Sequence, residues 1–159
     1  MNPILRSTLF ANTFQSAINP KRALLAGLVA CATASSAYAG NVSKANNTGA
    51  LNVGTSWVGG VAPGASDVAT WDATITDPNS ATNDLGANAT WGGIKILNPV
   101  GPVAITTNSA PATLTLGAAG IDMSSATVDL TMSNNLTLPD NTVQTWNVPS
   151  GGRFCWGAL

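Results

Sequence analysis

Residues 91 to 148 read WGGIKILNPVGPVAITTNSAPATLTLGAAGIDMSSATVDLTMSNNLTLPDNTVQTWNV. Apolar side chains return there at every second position, in one short run after another. This alternation predicts short strands that each bury one face. The residues predicted to point inward are Ile94, Ile96, Val103, Ile105, Leu114, Leu116, Ile121, Met123, Val128, Leu130, Met132, Leu136, Leu138, Trp146 and Val148. The alternating residues predicted to point outward are Thr113, Thr115, Asp129, Thr131 and Thr137.

The spacing of these runs indicates a repeat. Leu114 lies twenty residues after Ile94, and Leu136 lies twenty-two residues after Leu114. A repeat of this length fits one coil of a β-solenoid, with the intervening runs forming the other sides of each coil. Glycine and proline fall between the runs, where the chain must turn. A β-sandwich also uses many short strands with frequent turns, so it stays open as the alternative.

Composition supports an all-β fold and excludes some partners. Charged residues make up only 8% of the 159 residues, and Glu and His are absent. Thr, Asn, Ser, Gly, Ala and Val, which fill the chain, suit strands and turns. From Gly40 onward the basic residues are only Lys44, Lys95 and Arg153, against all seven aspartates. No phosphate-neutralising patch is visible, so nucleic-acid binding is not expected.

The first forty residues have the pattern of an export signal. A basic pair precedes an apolar run at 23–30, which passes into small residues and ends at Ala37-Tyr38-Ala39. A basic region, a short apolar region and an A-x-A site are typical of a secretory signal peptide, cleaved here before Gly40. The run is too short to cross a bilayer, which takes about 20 apolar residues.

A second cleavage site is open in the same region. Residues 28–31, LVAC, resemble the lipobox at which bacterial lipoproteins are cut and lipidated on cysteine, here Cys31. Cleavage after Ala39 is favoured, and it leaves Cys155 as the only thiol. No intrachain disulfide is then expected.

A series of short motifs carries a family resemblance over roughly residues 41–151. The motifs are Ser56-Trp57-Val58-Gly59-Gly60, Ala62-Pro63-Gly64, Asp67, Trp91-Gly92-Gly93-Ile94, Leu114-Thr115-Leu116-Gly117, Gly120-Ile121 and Gln144-Thr145-Trp146-Asn147-Val148. In this order they resemble the N-terminal part of bacterial autotransporter-associated β-strand repeat proteins. The resemblance implies a right-handed parallel β-helix in an exported passenger, secreted or at the cell surface, with outer-membrane association in a full-length form. It supplies no catalytic residue.

These observations predict four segments. Residues 1–39 form the signal peptide, 40–90 an N-terminal capping segment, 91–150 the solenoid coils, and 151–159 an atypical tail. Trp57 and Trp71 are expected to close the end of the stack. The tail contains several apolar residues close together, without alternation. This pattern is expected at the end of a truncated or frameshifted gene product. Membrane contact is expected only through the signal peptide or a missing C-terminal anchor, and the open last coil favours self-association.

The sequence predicts no catalytic, cofactor-binding or metal site. The absence of His removes most zinc and Ser-His or Cys-His chemistry. Asp67, Asp72 and Asp77 recur every five residues, but aspartate between Gly and Pro is usually a turn former. Sugar hydrolysis by two of these acids, and calcium bound by Asp72 and Asp77, are therefore not favoured.

Two other functions remain alternatives to a purely structural passenger. A polysaccharide-active β-helix enzyme, a lyase or hydrolase, is one; a lyase needs basic residues, and only Lys95 lies within the repeats. A glycan-binding module or adhesin is the other, with surface glycans or other cells as partners. Trp91 and Trp146 are candidates for stacking on sugars, although core or cap positions are favoured for both.

Overall fold

The computed structural model describes residues 40–108 and 111–157. These residues form ten short strands and two 3₁₀ turns, at Gly54–Ser56 and Pro78–Ala81. No helix in the described ranges is long and apolar enough to cross a membrane. The strands are β1 Asn41–Ser43, β2 Val68–Trp71, β3 Thr82–Asp84, β4 Ala89–Ile96, β5 Val103–Thr106, β6 Thr113–Asp122, β7 Leu130–Met132, β8 Asn135–Thr137, β9 Trp146–Asn147 and β10 Phe154–Trp156.

The strands form two sheets, and every pairing between them is parallel. The first sheet, sheet A, has the order β1-β2-β4-β6-β8, with β9 also paired to β6. The second, sheet B, has the order β3-β5-β7-β10. From β2 to β8 the chain alternates between the sheets, and strands of successive coils pair with one another, which is a β-solenoid. A β-sandwich is built from antiparallel sheets, so that alternative is wrong.

The pairing register corrects the predicted repeat. Leu114 pairs with Leu136 as the sequence predicted, 22 residues apart. Ile94 does not pair with Leu114; its partner is Ile121, 27 residues away, and Leu114 pairs instead with Ala89. The difference arises between Trp91 and Gly93, where one residue of β4 lies opposite three residues of β6. Such a bulge lengthens one coil while the inward alternation continues on both sides of it.

The paired glycines of β4 are explained by close backbone approach at this bulge. A Cβ on Gly92 would lie 2.8 Å from the backbone carbon of Ser66, and a Cβ on Gly93 would lie 2.7 Å from the Cβ of Ala119. The amides of both glycines also point at the carbonyl oxygen of Asp67, at 2.7 and 3.3 Å. Glycine is therefore required by the neighbouring coils on either side.

The core contains residues that the alternation predicted to point inward, but they stack in the columns of the corrected register. One column runs Ala69, Ile94, Ile121 and Trp146, and another runs Val103, Leu130 and Phe154. Every predicted inward residue from Ile94 to Met132 is buried except the half-buried Val128. Leu138, Trp146 and Val148 are exposed instead, and all three belong to the last coil. The predicted outward residues are half-buried or exposed.

The stack extends beyond the predicted coil segment at both ends. β1, β2 and β3 already pair in the two sheets, so parallel stacking begins before Trp91. The predicted atypical tail also continues the repeat, because Phe154 pairs with Leu130 and packs against the core. The predicted signal peptide, residues 1–39 with Ala37 and Ala39, lies outside the described residues. Gly40 is described, and its carbonyl accepts a hydrogen bond from the amide of Val68 at 2.8 Å.

Candidate functional site

The three regularly spaced aspartates are parts of turns. Both oxygens of Asp67 accept backbone amide hydrogen bonds, from Gly40 at 3.3 Å and from Gly64 at 2.9 Å. Asp77 caps the 3₁₀ turn Pro78–Ala81 by accepting from the amide of Asn79 at 3.0 Å. These are the roles that aspartate has in Gly- and Pro-rich connections.

Asp72 is held in the same way at the end of β2. One oxygen accepts from the amide of Thr74 at 2.9 Å, and the other accepts from the hydroxyl of Ser43 at 2.8 Å. Burial alone would raise the pKa of Asp72, but the hydrogen bonds from Thr74 and Ser43 together lower it below its ordinary value. The carboxylate is therefore held in its charged form, which is unsuited to a general acid.

Among the described residues, no group of three or more Cys and Asp side chains gathers closely enough to hold a metal ion. Each of the three regularly spaced carboxylates is instead tied to a backbone amide of its own turn. The geometry therefore presents these side chains as structural elements of the coil connections.

Lys95, the basic residue within the repeats, pairs with an acid one coil later. Its Nζ lies 3.5 Å from the Oδ2 of Asp122, and the two residues are register partners in β4 and β6. Hydrogen bonds from Ser124, and secondarily the charge of Lys95, lower the pKa of Asp122. Both side chains are about one-third exposed. This pair belongs to an outward row that continues to Asn147 on β9.

A second outward row on sheet A consists of threonines. Thr90, Thr115 and Thr137 are register partners on three successive coils. Thr90 and Thr137 are exposed, and Thr115 is half-buried. We call the surface formed by these threonines, together with Lys95, Asp122 and Asn147, the sheet A face. It offers hydroxyl, amide and charged groups at the spacing between neighbouring strands, about 4.8 Å.

The two tryptophans that are candidates for sugar stacking lie in different environments. Trp91 is 1% exposed and packs in the core against Trp57, with ring centroids 5.7 Å apart, and against Trp71 at 6.2 Å. It cannot reach a ligand. Trp146 is 38% exposed and stacks edge-on against Phe154. Its register partner is the core residue Ile121, so Trp146 is the last member of an inward column.

A shallow groove lies beside Trp146. Its volume is about 360 Å³, and its lining consists of Ser124 and residues 146–149. Asn147 and Ser124 supply polar groups, while Val148 and Pro149 supply apolar surface. The mixture of one exposed aromatic ring and amide and hydroxyl groups is chemically suited to a neutral sugar.

Lys44 is a buried charge that sequence reasoning missed. The residue is 0% exposed, and its Nζ donates to the carbonyls of Ala45 and Asn47 at 2.8 and 2.7 Å. It also donates to the side-chain oxygen of Asn47 at 3.1 Å. All three acceptors are neutral, so burial lowers the pKa of Lys44 to about 8. The ammonium thereby holds together the connection that follows β1.

We expect the stability of the chain to rise with pH through Lys44. In the unfolded chain this residue keeps its ordinary pKa of 10.5, whereas the folded pKa is about 8. Between these values the unfolded state binds more protons, so the free energy of unfolding increases as pH rises. From pH 7 to pH 10 the increase is expected to be on the order of 2 kcal/mol.

Urea unfolding measured at several pH values tests this expectation. The matched control is Lys44→Met, which keeps an unbranched side chain one atom shorter and removes the titrating group. The difference in pH slope between the two chains isolates Lys44, because all other titrating groups are shared. Equal slopes would show that the Lys44 ammonium is not desolvated in the folded chain.

Comparisons with protein-family models, with curated proteins and with solved structures found no match to this chain. The functional interpretation therefore depends on the solenoid, its sheet A face and the sequence.

Proposed function

We propose that the chain is a structural or adhesive β-solenoid of an exported passenger, without catalytic activity of its own. The observation that carries this proposal is the sheet A face, where outward polar residues line up from coil to coil in register. Such a face can contact an extended partner repeatedly. Surface glycans or other cells are the proposed partners.

The groups that an enzyme would need already have other partners. Asp67, Asp72 and Asp77 accept backbone hydrogen bonds in turns, and Lys95 is paired with Asp122. A polysaccharide lyase requires basic groups to neutralise an acidic polymer and remove a proton. With Lys95 neutralised by Asp122, the sheet A face has little attraction for a polyuronate. These contacts favour the structural or adhesive function over the lyase alternative.

Export is the second part of the proposal. It is supported by the signal-peptide pattern of residues 1–39 and by the resemblance to autotransporter-associated repeats, which the solenoid fold suits. We expect the exported chain, expressed in a bacterial host, to begin at Gly40 on N-terminal sequencing. A first residue of lipid-modified Cys31 would contradict this and would make the protein membrane-anchored.

Glycan binding by two arginine variants tests the adhesive function. Thr115→Arg places a bulky charge in the middle of the sheet A face, and we expect it to weaken binding to immobilised neutral polysaccharides about tenfold, or 1.4 kcal/mol. Thr131→Arg is the matched control, because Thr131 also points outward on a central strand but lies in sheet B. Equal losses of polysaccharide affinity in the two variants would mean that the sheet A face is not the contact surface.

A polymer-cleavage assay separates this function from the enzymatic alternative. The chain is incubated with polyuronate and with neutral polysaccharide, and the products are examined for new reducing or unsaturated ends. We expect none. Cleavage that is lost in Lys95→Met would instead assign the sheet A face to a lyase.

A further inference from the structure

The C-terminal end of the solenoid exposes the interior of the stack. Leu136, Phe154 and Trp156 continue the inward columns of Leu114, Leu130 and Met132. Unlike those three buried partners, they are half-buried or exposed. The exposed large apolar side chains of this region are Leu138, Val143, Trp146, Val148 and Trp156. The side chains that end the inward columns therefore form an exposed apolar surface. Apolar surface of this kind marks an interaction site.

Strand edges are open at the same end. Within the described residues, β8, β9 and β10 each pair with one neighbour only, on the side of the preceding coil. Their outer edges therefore present backbone groups that are free to pair with another strand. We call these three edges, with the exposed apolar residues around them, the open end.

The opposite end of the stack is covered by the chain itself. Lys44 and Trp57 form an antiparallel bridge beside β1, and the amide of Val58 donates to the carbonyl of Ser43 at 2.8 Å. The amide of Leu51 donates to the carbonyl of Asp84 in β3 at 2.8 Å. Head-to-tail stacking would have to displace this covering segment. The open end of one copy thus finds its best match in the open end of another.

Charge permits two open ends to meet. Residues 133–157 contain one acidic residue, Asp140, and one basic residue, Arg153. Two copies therefore approach with no net like-charge repulsion, although the chain as a whole is acidic.

We propose that two copies of this chain associate through their open ends in a closed two-fold dimer, with β10 pairing antiparallel to the β10 of the second copy. In the symmetric register, Cys155 at the centre of β10 lies opposite its own mate. Phe154 of one copy then lies opposite Trp156 of the other, and aromatic pairs across antiparallel strands are favourable. The arrangement covers both apolar ends at once, and it closes because the same surface is used twice.

The cysteine provides a direct readout of this register. Cys155 is exposed and is the only described cysteine. Directly opposed residues in an antiparallel pair have Cα atoms about 4.5–5.5 Å apart, which falls within the range for a disulfide. The experiment uses the full chain carrying Cys31→Ser, so that any crosslink reports on Cys155 alone.

Association is measured by sedimentation under reducing conditions, and crosslinking by diamide oxidation and non-reducing electrophoresis. We expect a dimer at micromolar concentration and a single crosslinked species of twice the chain mass. Val148→Lys, at the open end, should raise the dissociation constant about tenfold or more. The matched control is Val53→Lys: Val53 is 46% exposed and Val148 43%, and Val53 lies in the covered end. The control should leave the dissociation constant unchanged.

Each contrary result overturns a defined part of the inference. A monomeric chain, or equal weakening by Val148→Lys and Val53→Lys, would overturn the open-end interface. Species larger than a dimer would overturn closure, and a dimer without the Cys155 crosslink would overturn the β10 register. If far-ultraviolet circular dichroism shows that Val148→Lys unfolds the chain, Leu138→Lys replaces it against the same control. None of these outcomes depends on export or glycan binding.

Discussion

Replacing Trp91 by Ala is expected to lower the free energy of unfolding by about 4 kcal/mol, as the removal of a fully buried aromatic ring typically does. Trp91 is 1% exposed, is in register with Leu116, and packs its ring against both Trp57 and Trp71. These three rings join the covering segment to β2 and β4. The substitution therefore leaves a large cavity that backbone hydrogen-bonded on both sides cannot close.

Trp146→Ala is the control for this prediction, because it removes the same side chain from a site that is 38% exposed. We expect a loss of about 1 kcal/mol, since much of this ring is already in contact with water. Both variants are compared by urea unfolding in the Val148→Lys background, so that dimer formation does not contribute. Similar losses in the two variants would contradict a core centred on the three tryptophans.

The second large effect is expected for Gly120→Ala, which should lower the free energy of unfolding by about 3 kcal/mol or more. Gly120 has φ +65, and a Cβ there would overlap the carbonyl oxygen of Thr145. That carbonyl accepts the amide of Ile121 at 3.1 Å, which begins the pairing of β6 with β9. The added methyl group thus strains the backbone and separates the last coil from the stack.

Substitutions at two other glycines separate the cost of backbone strain from the cost of the steric clash. Gly59 has φ +91, and no atom lies within 4 Å of the place that an added methyl group would occupy, so Gly59→Ala should show backbone strain alone, about 1–2 kcal/mol. Gly151 has open space as well and no left-handed φ, so Gly151→Ala should change stability by less than about 0.5 kcal/mol. A Gly120→Ala loss no larger than that of Gly59→Ala would show that β9 moves aside without cost.

Local pattern was sufficient for the strands between Trp91 and Val148 and for half of the core, ten of its twenty buried apolar residues. Whether a side chain such as Leu114 or Met132 points inward depends on alternation with its immediate neighbours, and that information lies within a few residues. The turn roles of Asp67 and Asp77 were accessible for the same reason, because their hydrogen bonds mostly close within three residues.

The register between coils was not accessible in this way. Ile94 could have faced Leu114 or Ile121, since both are aliphatic and both continue an inward column. The choice depends on the bulge opposite Gly92, where residues of three different coils approach each other. Lys44 was missed for a related reason: its acceptors are local, but its burial depends on the bridge to Trp57 and on pairing with Thr70 of the next coil.

Sequence alone therefore established an all-β chain of short alternating strands, the inward residues from Ile94 to Met132, and the turn chemistry that links them. Tertiary structure alone established the coil register and which residues cover the first coil and are exposed on the last. Period-two alternation is a property of neighbouring residues, whereas burial at a stack end depends on whether another coil lies beyond it. For this reason Trp91 and Trp146, alike in the sequence pattern, differ in the fold: one lies between coils, and the other lies at the open end.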